Sequence, residues 1–317
     1  MTQRASEAIR GAIRATWRDN GDVPDPFSSR YLTVRDGVQL RLVDWSASQS
    51  PSGIPILLLH GLASNARLWD GPARYLTDFG HRVVAVDLRG HGQSEKTEDG
   101  YAVSDIAADV ADIITQLCQE TSSWKRPLVI GQSWGGNIVI ELAATFGDLI
   151  RGVVAVDGGT IELCEAFPGW DECARTLQPP HLAGMKYDRL RSYIRAAHPD
   201  WSEEAIDGQM HNMQQHPDGT ITPWLTFDRH MTILRNLWEH RPSQLWNKID
   251  VPVMFTPAAK TNDDHVAMKR QQIAHALSLL PAARVEWFEP ADHDLHAQFP
   301  QQFSSVIDHA ISTGFFA

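Results

Sequence analysis

The residues best suited to do chemistry are Gly131-Gln132-Ser133-Trp134-Gly135, with Gly136 directly behind them. Pro127 to Ile130 is a short apolar run. Beyond the motif, Asn137 to Ala144 places apolar side chains at helical spacing. A strand, a sharp turn carrying a serine, and a helix together lift a hydroxyl above a sheet and aim a helix N-terminus at whatever it attacks. The glycines on either side leave room for such a strained turn. A serine hydroxyl is barely ionised at neutral pH, so a nucleophilic Ser133 needs a base, and the base needs an acid to orient it.

The flanking chain supplies elements that would hold such a group. Pro55 to Leu59, Arg82 to Val86, Leu128 to Ile130, Val153 to Val156, Val251 to Thr256 and Arg284 to Phe288 are short apolar runs separated by helical patterns. Uniformly apolar strands alternating with helices predict an α/β fold, a mostly parallel sheet with helices on both faces. Chemistry in such sheets gathers at the carboxyl ends of the strands, where His60, Asp87, Ser133 and Asp157 fall. Ahead of this region, Ile9, Ile13 and Trp17 predict an amphipathic helix over residues 4–18. Ser29 to Val34 and Val38 to Trp45, joined at Asp36-Gly37, predict a hairpin. Residues 160–235 break the rhythm. They carry Trp170, Trp201, Trp224 and helical pieces such as Tyr187 to Ala197 and Glu203 to Gln214, with no buried-type strand. The expected division is a core of 1–159 and 236–317 with a helical cap insertion at 160–235.

Composition narrows the partners. The chain has 317 residues, 43% hydrophobic and 21% charged, enough for one large domain with an insertion. A net charge of −11 argues against a nucleic-acid partner and against an anionic membrane surface. No run is long and apolar enough to span a membrane. Met1 to Asn20 lacks the apolar stretch of a signal peptide. Cys118, Cys164 and Cys173 have neither metal-ligand spacing nor a CxxC pair, so reduced thiols in a cytoplasmic protein are expected. The partner implied is a small-molecule substrate, with no cofactor and no metal; no signal for an oligomeric state stands out.

Four segments in order give the chain a family resemblance: Leu59-His60-Gly61-Leu62, Asp87-Leu88-Arg89-Gly90-His91-Gly92-Gln93-Ser94, Gly131 to Gly136, and His293-Asp294-Leu295-His296-Ala297-Gln298-Phe299-Pro300. Together they resemble α/β-hydrolase-fold serine hydrolases of the esterase and lipase kind, over nearly the whole chain outside the insertion. The resemblance implies Ser133 as nucleophile and His293 as base, with His296 as a helix-start histidine that packs the loop. It implies an oxyanion hole from the backbone N–H groups of Leu62 and Trp134. His60 would shape that loop or touch substrate, and Asp87 to Ser94 would form a structural turn in which Arg89 pairs with Asp87. Trp170 and Trp224, in an aromatic and Met-rich insertion, are candidates for substrate contact.

The acid departs from the family pattern. Its common position, a few residues after the strand ending at Thr256, falls at or near Lys260, which cannot accept an imidazole N–H. Asp263 and Asp264 follow after a longer loop. Asp157, at the end of the strand after the nucleophile helix, is the alternative and is preferred here. The expected activity is cofactor-free hydrolysis of an ester, thioester or similar acyl bond of an apolar substrate through an acyl-enzyme. Ser133 argues against the epoxide hydrolases and dehalogenases that resemble this chain, which use a carboxylate nucleophile. An acyltransferase sharing the acyl-enzyme and a ligand-binding protein with a vestigial triad stay open.

Overall fold

The apolar run Pro55–Leu59 becomes a central strand because its alternate side chains enter two different cores. The computed structural model describes residues 27–45, 53–260 and 265–317. The helix expected at residues 4–18 lies outside them. In chain order the strands are β1 (Ser28–Thr33), β2 (Gln39–Asp44), β3 (Pro55–Leu59), β4 (Arg82–Asp87), β5 (Leu128–Gln132), β6 (Gly152–Val156), β7 (Met213–Gln215), β8 (Ile221–Pro223), β9 (Val253–Thr256) and β10 (Ala283–Val285). Eight of them form one sheet in the order β1-β2-β4-β3-β5-β6-β9-β10. β2 pairs antiparallel with β1 and β4, and all other neighbours are parallel. The turn between β1 and β2 uses Asp36 at φ 60° and Gly37 at φ 77°, the left-handed backbone an Asp-Gly pair tolerates best.

On one face Leu57, Leu59, Val84, Val129 and Val153 pack with the helices Val103–Glu120 and Trp134–Phe146. On the other, Ile56, Leu58, Val83, Ile130 and Val154 pack with the helices Asp70–Asp78 and Pro300–Ser312. The fold is α/β, a mostly parallel sheet with helices on both faces.

Between β6 and β9 the chain forms the helices Leu163–Ala166, Trp170–Leu177, Tyr187–Ala197, Glu203–Met210 and Phe227–Glu239. It is not purely helical as expected, because β7 and β8 form an antiparallel hairpin. The helix starting at Glu203 stops at Met210 rather than continuing to Gln214. The turn that joins β7 to β8 is local: Pro217-Asp218-Gly219 is turn chemistry, with Gly219 at φ 78° and Asp218 Oδ1 accepting the Thr220 N–H at 2.9 Å. This segment lies over the loops that follow β3 and β4. Asn65 Nδ2 donates to Gly208 O (2.9 Å) and Asn212 Oδ1 (2.7 Å), and Arg229 donates to the carbonyls of Thr97 (2.8 Å) and Lys96 (2.9 Å).

Candidate active site

β5 ends in a turn that only small neighbours permit. A Cβ added to Gly131 would collide with the Gly135 carbonyl, so strand and helix meet where side chains are missing. Ser133 sits at the turn with φ 54° and ψ −116°, an unfavourable backbone for a residue with a side chain. Such a conformation costs about 1–3 kcal/mol and persists because the surroundings over-determine it. Here the Ser133 N–H donates to Val156 O at 2.8 Å, tying the turn to β6, and Asn137 N–H donates to Ser133 O at 3.2 Å. Five non-glycine residues have positive φ among the described residues, and three of them, Ala63, Ser133 and Asp157, lie in loops at the carboxyl ends of the central strands.

Asp157 leaves the end of β6, beside the nucleophile strand, and its carboxylate is almost fully buried. Its Oδ2 accepts the N–H of His293 Nδ1 at 2.6 Å. Its Oδ1 accepts the backbone N–H of Ala258 at 2.9 Å and the Lys269 ammonium at 2.6 Å. Burial alone would raise this carboxyl, but the hydrogen bond and charge of His293 and the charge of Lys269 outweigh it and hold it below the usual carboxylate range. The effect on His293 is reciprocal. Desolvation by the surrounding protein works to lower the ring, yet the hydrogen bond and charge of Asp157, with Asp294 adding to them, hold it above its ordinary value. The His293 ring is 52% exposed, and its Nε2 has no hydrogen bond among the described residues. Gln132 Nε2 donates to His293 O at 3.3 Å, which joins the histidine loop to the strand that carries Ser133.

The loop after β3 closes the other side. A Cβ built on Gly61 would collide with the Gln132 side chain and crowd Ser133 Cβ at 3.1 Å, so a glycine is what lets the loop before Leu62 approach the serine. Trp134 opens the next helix, where the first N–H groups have no intrahelical acceptor. Its indole is buried against His91, with ring centres 5.3 Å apart.

Several expected contacts are arranged differently. His60 is not available to a substrate: it is buried, its Nδ1 donates to Gly61 O at 2.7 Å, and its Nε2 accepts the Leu88 N–H at 3.0 Å. It shapes the loop, and burial lowers its basicity. Arg89 does not pair with Asp87. It forms a two-point pair with Asp109 (2.9 and 2.8 Å), while Asp87 takes Arg41 at 3.2 Å and the N–H groups of Ala66 and Gln93. Asp87 thereby pins the loops after β3 and β4 together. Trp170 packs on Trp238, 6.1 Å between ring centres, with Arg235 over its face at 5.0 Å, and is absent from the lining of the cavity described next. Lys260 pairs with Asp292 at 2.7 Å. Asp263 and Asp264 lie outside the described residues. His296 is buried with its ring 4.1 Å from that of Trp69, and burial pushes it down to about 3.

Between the insertion and the loop holding Ala63 and Ser64 lies a cavity of about 390 Å³. Trp224 lines it, with Leu182, Met213, Leu225 and Phe227 and the polar groups of Gln209 and Asn212. Among the described residues no carboxylate lines it. Two side chains that the sequence reading gives no role touch this arrangement, Lys269 through Asp157 and Gln132 through the His293 carbonyl. Lys269 has no motif around it, and a lysine on a helix 112 residues beyond its partner leaves no signal in sequence.

The alpha/beta hydrolase family matches residues 56–306, and the chain belongs to that family. Among its relatives is the 2-(acetamidomethylene)succinate hydrolase of Mesorhizobium japonicum, 28% identical over 199 residues, spanning 63% of this chain and 68% of that protein. The non-heme chloroperoxidase of Streptomyces lividans is 24% identical over 283 residues, 85% of this chain and 95% of that one. Among solved structures, E-2-(acetamidomethylene)succinate hydrolase superposes with a TM-score of 0.75 at 24% identity, covering 90% of this chain and 99% of the other. The thioesterase domain from the curacin biosynthetic pathway gives 0.70 at 22% identity, over 89% and 99%. At these identities the structural likeness speaks for the fold. No helix among the described residues is long and apolar enough to cross a membrane.

Proposed function

We propose that this α/β hydrolase is a serine hydrolase cleaving an ester, thioester or similar acyl bond of a small, largely apolar substrate. The observation that carries the reading is the 2.6 Å contact of His293 Nδ1 with the buried Asp157 carboxylate, on a loop held at 3.3 Å by Gln132, the residue before the strained Ser133. In this reading His293 Nε2 takes the Ser133 proton as Oγ attacks the acyl carbon, and returns it to the leaving group as the tetrahedral intermediate collapses. Asp157 keeps the Nδ1 tautomer and stabilises the imidazolium that forms. The N–H groups of Leu62 and Trp134 receive the oxyanion, each worth about 3 kcal/mol in comparable enzymes. Water then attacks the acyl-enzyme with the same base. Labelling of Ser133 by a fluorophosphonate, abolished in Ser133→Ala, is the expected result; an unlabelled wild-type protein would count against the reading.

We read residues 160–235 as a cap over this site, with the cavity beside Trp224 taking the apolar part of the substrate. The name of one relative, 2-(acetamidomethylene)succinate hydrolase, supports hydrolysis as the reaction. Ala183 is exposed and lines the cavity, so Ala183→Trp narrows it without disturbing the core. That variant should lose about tenfold in kcat/KM on octanoyl nitrophenyl esters and little on acetyl esters. Equal loss on both would remove the cavity from the substrate path.

The pH dependence has a defined sign. His293 must be neutral to act as base, so kcat/KM falls as pH drops through its folded value. Because Asp157 holds that value above the ordinary histidine range, the acid limb should lie above about 6.5. His293→Ala removes activity. His296→Ala keeps the limb where it was and instead costs stability, about 2 kcal/mol or more, through the void left against Trp69. Exchange of these two outcomes would assign the base to His296.

A further inference from the structure

Asp157 accepts donors on both oxygens, and they divide by role. His293 takes Oδ2, while Lys269, on the helix His265–Leu279, and the Ala258 N–H take Oδ1. Lys269 Nζ also donates to Ala258 O at 2.8 Å, so one ammonium bridges the carboxylate and the backbone that supports it. That clamp is assembled from three elements: the ends of β6 and β9 and a helix packed beside them. It stands at the acid position where Lys269, unlike His293, has no part in moving protons to substrate.

We propose that Lys269 is a positioning residue: its ammonium fixes Asp157 Oδ1 so that Oδ2 alone faces His293. This rests on the reading of Ser133, His293 and Asp157 as the catalytic group. The physical trade is direct. A carboxylate shared with a second cation attracts an imidazolium less, so proton uptake at His293 becomes harder, while the fixed rotamer removes the cost of aligning the acid in each turnover. Lys269 acts to lower both Asp157 and His293.

Other charges face the pair and are accounted for. Asp294, on the histidine's own loop, acts to raise His293, and the buried His296 is neutral. His198 from the segment above lies toward Asp292 (3.8 Å), which Lys260 already pairs. Glu162, which lines a cavity of about 190 Å³ with Lys269 and Asp157, has its Oε1 occupied by the Ser243 N–H at 2.8 Å. None of these replaces the Lys269 contact on Oδ1.

The test is an NMR titration of the His293 ring in the full-length protein and in Lys269→Met, Lys269→Gln and Lys269→Arg. It is run beside kcat and KM against pH on nitrophenyl acetate. In the Met and Gln variants the His293 pKa is expected to rise by about half a pH unit. The acid limb of kcat/KM should move with it, and kcat should fall about tenfold with KM near wild type. Gln keeps a donor and loses the charge, so it reports on charge even if Met folds poorly. Arg, which keeps the charge, should restore the titration. A His293 titration unchanged in both Met and Gln overturns the proposal. The NMR arm judges Lys269 without reference to turnover, whereas wild-type turnover surviving in Ser133→Ala would sink the catalytic reading instead.

Discussion

Ser133→Ala should lower turnover by about four to six orders of magnitude, as comparable triads lose, while leaving the fold intact. The expectation follows from geometry and from what alanine keeps. Alanine shares the φ of 54° with the same backbone cost, and the hydrogen bonds of the turn, Ser133 N–H to Val156 O and Asn137 N–H to Ser133 O, are main-chain at residue 133 and survive. Thermal unfolding should therefore stay close to wild type. What disappears is the hydroxyl that forms the acyl-enzyme in the proposed mechanism. The residual rate reports the Leu62 and Trp134 N–H groups and substrate binding alone. A pure variant retaining more than a few per cent of activity would remove Ser133 from the mechanism.

The second large effect belongs to the acid. Asp157→Asn keeps the shape but presents an amide where His293 Nδ1 needs a charged acceptor, favouring the wrong tautomer at a cost of about four orders of magnitude in a comparable triad. The substitution also leaves the Lys269 ammonium without its carboxylate. Asp263→Asn and Asp264→Asn should be mild. The reverse ranking would sink Asp157 as the acid. Stability carries a separate signature. A carboxyl held below its ordinary value contributes stability that is present above the unfolded value of about 3.9 and is lost as pH falls through the folded one. Asp157→Asn should thus destabilise near neutral pH and lose its difference from wild type in acid.

Much of the architecture was readable before any coordinates. The runs Pro55–Leu59, Leu128–Ile130 and Val153–Val156 are apolar at every position because both sheet faces are covered, and they appear as β3, β5 and β6. The hairpin at Asp36-Gly37 was equally plain, since its turn chemistry is local. The β7–β8 hairpin was missed although Pro217-Asp218-Gly219 marks it. Its strands are three residues each, too short for alternation to show against helical neighbours.

The sequence by itself determined the family, the strand order of motifs along the chain, and the strained turn at Ser133. Each of these depends on neighbours in the chain: glycines beside a serine, an apolar run before it, a helix after it. The tertiary structure alone decided what stands opposite what. Arg89 and Asp87 are two residues apart, yet each has a distant partner: Arg41 stands opposite Asp87 in the β2–β4 register, while Arg89, past the end of β4, meets Asp109 on the helix Val103–Glu120. For His60 the sequence leaves open shaping its loop or touching substrate, and only the fold shows both its nitrogens occupied. Lys269 reaches Asp157 across 112 residues, and Asp157 reaches His293 across 136, through the register of β6 beside β5 and β9. Charge complementarity at that range is set by how strands pair, and no local pattern of residues records it.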